Sequence, residues 1–167
     1  MTEDSISISD IAFNSSEARE RIGTEIFETP LIPSLKRGSK LLFKAENFQN
    51  TGSFKIRGAL SKLTALAKAK DLNAFKFITA SSGNHGIACS KAASILGASL
   101  TVVLPETVAK VKLERIKSFG VDVLIQGEES GQAELYAQKM SKEEGYFYIS
   151  PYNDSEVIAG QGTIGLE

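Results

Sequence analysis

The 167-residue chain has no tryptophan, one cysteine (Cys89), one histidine (His85) and four prolines. A single cysteine excludes an internal disulfide framework and fits a reducing, cytoplasmic compartment. A single histidine leaves no His/Cys cluster of the kind zinc needs, so no metal is expected. No apolar run approaches the roughly 18 residues of a membrane span. The acidic start, MTEDSISISD, lacks the apolar core of a secretory signal. Nineteen basic against twenty acidic residues leave a net charge of −1, with no basic footprint for nucleic acid and no polybasic patch for a membrane surface. What remains, 42% hydrophobic and 23% charged, is ordinary globular composition with enough length to bury a core.

The pattern along the chain is an alternation of strands and helices. The first eight residues read as a loose terminus. Asp10 is expected to cap a helix running to about Arg21. Thr29-Pro30-Leu31-Ile32-Pro33 reads as an irregular connector, since the residue before each proline is pushed to extended backbone. Strands are expected at 41–43, 75–79, 100–104, 121–125 and 146–149. Helices are expected at 54–68, 84–96, 108–119 and 130–143, several of them stopped by a glycine that can take a left-handed cap. The strands at 75–79, 100–104 and 121–125 are apolar runs rather than alternations, which suits burial on both faces of a parallel sheet. Repeated β–α–β order therefore predicts an α/β fold, a parallel sheet with helices on both faces in three αβα layers. A helical pattern begins at 155 and reaches Glu167 without a C-cap signal, so the chain reads as the N-terminal portion of something larger.

Three constellations carry chemistry. Thr51-Gly52-Ser53-Phe54-Lys55-Ile56-Arg57-Gly58-Ala59 sets Lys55 where a Gly-Ser turn opens a helix, between apolar neighbours. The positive end of the helix dipole and burial both disfavour a second positive charge there, which suits a Schiff-base amine. Against that stands the ordinary fate of a lysine, a solvated surface charge. Thr79-Ala80-Ser81-Ser82-Gly83-Asn84-His85-Gly86 lies between a strand and a helix and would present free N–H groups to a carboxylate or phosphate. Its plain alternative is a turn rich in capping residues. Gly160-Gln161-Gly162-Thr163-Ile164-Gly165 matches the dinucleotide fingerprint literally, but no clean strand precedes it, and we read it as a decoy. Cys89 reads as a packing residue, Lys110–Lys117 as a solvated face, and Tyr146, Phe147 and Tyr148 as strand packing.

Gly52–Ala59 and Ser81–Gly86 together resemble the fold-type-II pyridoxal-phosphate enzymes, most of all the threonine/serine dehydratase (ammonia-lyase) and serine racemase group. The likeness continues through Val103-Leu104-Pro105-Glu106, Ser150-Pro151-Tyr152-Asn153-Asp154 and Val157–Ile164, and covers nearly all of the chain from Thr29. It implies pyridoxal 5'-phosphate as cofactor and a small amino acid as substrate, with L-threonine or L-serine deaminated to a 2-keto acid and ammonia. Lys55 would form the Schiff base and carry the α-proton, and Phe54 would pack near the cofactor ring. Asn84 would hydrogen-bond the ring's phenolic oxygen. Ser81, Ser82, Gly83, Asn84 and His85 would bind the substrate, and Ser82 would stand opposite Lys55 as the second acid/base of a racemase. Ser82 leans to the racemase side. Ser150-Pro151-Tyr152, and the lack of arginine in 130–143, lean to the dehydratase.

The resemblance further implies the tryptophan synthase β-like fold. Residues 1–40 would be a helix and connector of the large domain, 41–150 the small domain carrying the substrate loop, and 151–167 a return into the large domain. It also implies a homo-oligomer at full length, and a glycine string at 160–165 that opens an ordinary helix. The family's glycine-rich phosphate loop is not in this sequence, so the 167-residue chain alone is expected to be inactive. A truncated, non-catalytic fragment is the alternative of a different class, and a nucleotide-binding domain a distant third.

Overall fold

A computed structural model describes residues 7–69 and 71–167. Helix α1 (Ile8–Ile22) is capped by Ser7, whose hydroxyl accepts from the Asp10 N–H at 3.1 Å while its own N–H donates to the Asp10 carboxylate at 3.2 Å. Asp10 is thus the third residue of the first turn and not the cap. The reciprocal pair satisfies two N–H groups where a lone aspartate cap would satisfy one end only. The expected loose terminus falls, for residues 1–6, outside the described residues.

The expected connector at 29–33 is largely a strand. β1 (Leu31–Ser34) pairs antiparallel with β2 (Gly38–Lys44), Leu31 opposite Lys44 and Pro33 opposite Leu42, in a two-stranded sheet of its own. Each strand of such a ribbon has an unpaired edge, which is where a residue lacking an N–H can sit, and the ladder shifts register right after Pro33.

From there the alternation holds, with ends moved by a residue or two: α2 (Lys55–Ala69), β3 (Lys76–Ala80), α3 (Asn84–Leu96), β4 (Ser99–Leu104), α4 (Lys110–Lys117), β5 (Asp122–Ile125), α5 (Ser130–Glu144), β6 (Phe147–Tyr148) and α6 (Ser155–Gly162). The four later strands form one parallel sheet in the order β5–β4–β3–β6. Successive side chains of a strand point to opposite faces, and in β3 and β4 both faces are buried, whereas β5, at the sheet edge, leaves Asp122 and Ile125 exposed, contrary to the expectation for 121–125. Phe77, Leu100, Val102 and Leu104 enter one core with α2, α3 and α4, while Ile78, Ala80 and Val103 meet Ala133, Ala137 and Met140 of α5 in a second. That is the physical content of the unbroken apolar runs. Among the described residues no helix is long and apolar enough to cross a membrane.

The glycine string does not open a helix. Gly160 and Gly162 lie in the last turn of α6, and a short 3₁₀ turn, Thr163–Leu166, follows. A Cβ on Gly160 would collide with the Arg57 carbonyl oxygen and the Gly58 Cα, so the glycine lets α6 press against the backbone of α2.

Arg57 ties this half of the molecule together. Its side chain is fully buried and donates to both Glu46 oxygens at 2.8 Å and to both Glu167 oxygens at 2.9 Å. Glu167, whose side chain is 1% exposed, also accepts from Lys44 and Arg19 at 2.7 Å. Burial alone would raise the Glu167 carboxyl, but the hydrogen bonds and charges of Arg57 and Lys44 outweigh it and hold the group at about 2, below its ordinary 4.5.

A carboxyl held low in the folded state gives stability that is complete above its ordinary range and is lost as pH falls through the folded value. Denaturant stability should therefore decline as pH is lowered from 4.5 toward about 2. Arg57→Met should cost about 3–5 kcal/mol at neutral pH, because two buried carboxylates lose their partner, and should flatten that acid decline. Urea titrations of both proteins across this range provide the check.

Candidate active site

The chain steps from β3 to β4 to β5 through α3 and α4, then returns along the other face through α5 to place β6 on the far side of β3. Loops leaving the C-terminal ends of β3 and β6 therefore diverge, and a crevice opens between them, the usual ligand position in open parallel sheets. The crevice here is a cavity of about 320 Å³, and α2 begins at its edge.

Lys55 is the first residue of α2, as expected from the Gly-Ser turn before it. Its ammonium donates to the Pro151 carbonyl at 3.0 Å, and the rings of Phe54 and Tyr152 lie 5.3 and 5.5 Å away. Lys55 and Pro151 are brought together only by the return of β6 beside β3. Pro151 and Tyr152, quoted above for their family likeness alone, thus join the amine directly.

The second motif forms the adjoining wall. Ser81, Ser82, Gly83, Asn84 and His85 all line the cavity with Lys55, whereas Phe54 is not part of the lining and meets the site through the lysine ammonium. The Ser81 hydroxyl accepts from the Gly83 N–H at 3.2 Å. Gly83 is the N-cap of α3, and no side chain caps that terminus, so first-turn N–H groups are left for a ligand anion. A Cβ on Gly86 would strike the Ser81 carbonyl oxygen; the loop folds back onto the first turn of α3, and only glycine permits that approach.

His85 shows that a residue in the loop can serve it from behind. Its imidazole is 3% exposed and Nε2 lies 3.3 Å from the Ile149 carbonyl oxygen, which also accepts from the Thr79 hydroxyl at 2.8 Å. Burial, reinforced by the charge of Lys55, lowers the imidazole to about 4 in spite of the Ile149 hydrogen bond. His85 is therefore neutral at pH 7, and its side chain anchors the loop to Ile149, the residue just after β6. The thiol of Cys89, one helical turn on, packs 3.4 Å from Nε2, and burial pushes it well above its usual range. Cys89 is a core residue, as its apolar neighbours suggested.

The opposite wall was not anticipated. Ser130 and Glu134 of α5 line the cavity, and Tyr148 donates from its hydroxyl to Glu134 Oε1 at 3.1 Å. The only signal for them in the sequence was a spacing of four on one helix face, which nothing local links to Lys55. Among the described residues no group of His, Cys and carboxylates could hold a metal ion.

Because the chain has one histidine, its titration can be read directly. The imidazole resonances in two-dimensional ¹H–¹⁵N spectra should stay at neutral positions from pH 8 to about 5 and titrate with a midpoint of about 4. A midpoint near the ordinary 6.5 would mean that the ring is solvated and the loop unanchored.

Residues 22–167 match the family described as pyridoxal-phosphate dependent enzyme. The catabolic L-threonine dehydratase TdcB of Staphylococcus aureus is 38% identical over 167 residues, covering 97% of this chain and 46% of the relative. The processed form of threonine deaminase isoform 2 from Solanum lycopersicum superposes with a TM-score of 0.85 at 29% identity, over 96% of this chain and 45% of the other. Maize serine racemase gives a TM-score of 0.81 at 32% identity, over 92% and 47%. The chain spans about half the length of the curated relatives it matches. Its fold, its motifs and this match over most of its length make the chain a member of the pyridoxal-phosphate-dependent enzyme family.

Proposed function

We propose that the protein carrying this sequence is an ammonia-lyase that deaminates L-threonine or L-serine. The observation that carries the reading is the meeting, in one cavity, of a lysine amine with the uncapped N-terminus of α3. The donor set fits pyridoxal phosphate. Lys55 supplies a primary amine, Phe54 and Tyr152 supply flat apolar surface beside it, and the exposed Asn84 supplies an amide within the same lining. When bound, the cofactor supplies an electron sink that acidifies the α-carbon of an attached amino acid.

The chain's own residues do the rest. The first-turn N–H groups of α3, with Ser81 and Asn84, receive the substrate carboxylate and orient the α-C–H bond. Lys55 Nζ removes the α-proton as general base. The Pro151 carbonyl accepts a hydrogen bond from that nitrogen when it is free. Neutral His85 holds the loop without adding a charge to the carboxylate site. In this reading residues 41–150 would bear the substrate loop, and residues 1–40 and 151–167 would belong with the large domain.

A second reading, racemisation, is favoured by Ser82, whose hydroxyl shares the cavity with Lys55 and could return a proton to the other face of the α-carbon. In the full-length protein, Lys55→Ala should lower keto-acid release by about 10²–10⁴-fold or more, and borohydride reduction should label Lys55 and no other lysine. Retained turnover, or a label elsewhere, would overturn the assignment. Ser82→Ala should leave deamination within a few-fold while chiral analysis shows racemisation diminished; equal loss of both would make Ser82 a binding residue.

A further inference from the structure

The cavity is electrically lopsided. Lys55 and the N-terminus of α3 reach it from the sheet face that α2 and α3 cover, and Glu134, the one acid among the described residues that line it, reaches it from α5 on the other face. Glu134 is fixed in place. Its Oε1 accepts from the Tyr148 hydroxyl at 3.1 Å and from the Gln138 amide at 3.3 Å. Oε2 has no partner among the described residues. Burial first, and then the charge of Glu134, push the Tyr148 phenol up, so the phenol stays a donor and keeps the carboxylate supplied with a hydrogen bond. Ser130, one turn earlier on α5, lines the same wall.

An α-amino acid that sets its carboxylate on the α3 N-terminus and its amine beside Lys55 has only the remaining side of the cavity for its side chain. A carboxylate is an acceptor only. It rewards a side chain that donates and repels one that is itself anionic. We propose that Glu134 is the specificity-determining residue of this cavity, accepting a hydrogen bond from a substrate side-chain hydroxyl and turning away acidic side chains. The inference rests on the reading above and names the residue that selects a hydroxyl-bearing side chain within it. A hydrogen bond to a charged acceptor corresponds to about 10–100-fold in affinity.

The test uses the full-length holoenzyme and three acids that lack an amine and so cannot enter the chemistry: propanoate, 3-hydroxypropanoate and malonate. Titration calorimetry on the wild type should show 3-hydroxypropanoate binding about tenfold or more tighter than propanoate, with malonate weakest. Glu134→Gln keeps the shape and removes the charge. It should bring malonate up by about tenfold and shrink the hydroxyl preference to a few-fold. Tyr148→Phe, which keeps the charge but frees the carboxylate from one of its two donors, should leave malonate weakest and reduce the hydroxyl preference alone. If propanoate binds but Glu134→Gln leaves the malonate to 3-hydroxypropanoate ratio unchanged, the role of Glu134 is wrong and the amino-acid reading stands. If none of the three acids binds, the carboxylate site at α3 is wrong and this proposal falls with it.

Discussion

A buried guanidinium held between two carboxylates is the constraint on which the site depends. Arg57 lies two residues beyond Lys55 in the first turn of α2, fully out of solvent, with Glu46 on one side and Glu167 on the other. Each carboxylate meets it through two hydrogen bonds, a geometry that an Arg fork satisfies and a Lys ammonium cannot. Desolvating three charges is costly, and only a complete set of partners offsets it. Lys44, Arg19, Thr163 and Thr29 complete the set. Because those partners come from α1, β2, the segment before α2 and the end of the chain, the network fixes how α2 sits in the fold. The direction in which Lys55 leaves that helix follows.

The cavity is a consequence of topology acting on this fixed helix. A parallel sheet whose connections run first one way and then the other must part its loops where the direction reverses. Here the reversal lies between β3 and β6, and the Ile149 carbonyl at that seam gathers the Thr79 hydroxyl and the His85 imidazole. The same seam carries Pro151 to the lysine ammonium. Loop, amine and return segment are thus coupled through a few hydrogen bonds at one end of the sheet. The polar groups sort by sign across the opening, a cation and a helix N-terminus on one side and a carboxylate on the other. That arrangement suits a zwitterion with a neutral, donating side chain.

Much of this was legible along the chain because the responsible interactions are local. Gly97 and Gly145 end α3 and α5 in the left-handed conformation their sequence positions imply. The apolar runs of β3 and β4 named strands buried on both faces, while the run at 121–125 became a half-exposed edge strand. The residues at 81–85 announced a strand-to-helix loop rich in ligand-binding groups, and that loop lines the cavity. Where local reading failed, the competing partner was remote or reciprocal. Pro30 and Pro33 suggest a connector until β2 is there to pair with Leu31 and Ile32. Asp10 looks like a cap until Ser7 shares the bonding. Gly160 mimics a nucleotide fingerprint, yet its lack of a side chain answers to the backbone of α2, a hundred residues away.

What the sequence by itself determined is the order of elements, the amine at the mouth of a helix, the uncapped loop and the family these belong to. Each is encoded within a window of some ten residues, by backbone preference, capping and apolar period. Tertiary structure alone decided that the Glu167 carboxylate closes on Arg57, that His85 turns its ring inward to Ile149, and that Glu134, held by Tyr148, completes the cavity. Hydrogen bonds and ion pairs have no sequence period. They depend on which side chains the crossovers bring within 3 Å or so of each other, and only the folded chain sets those distances.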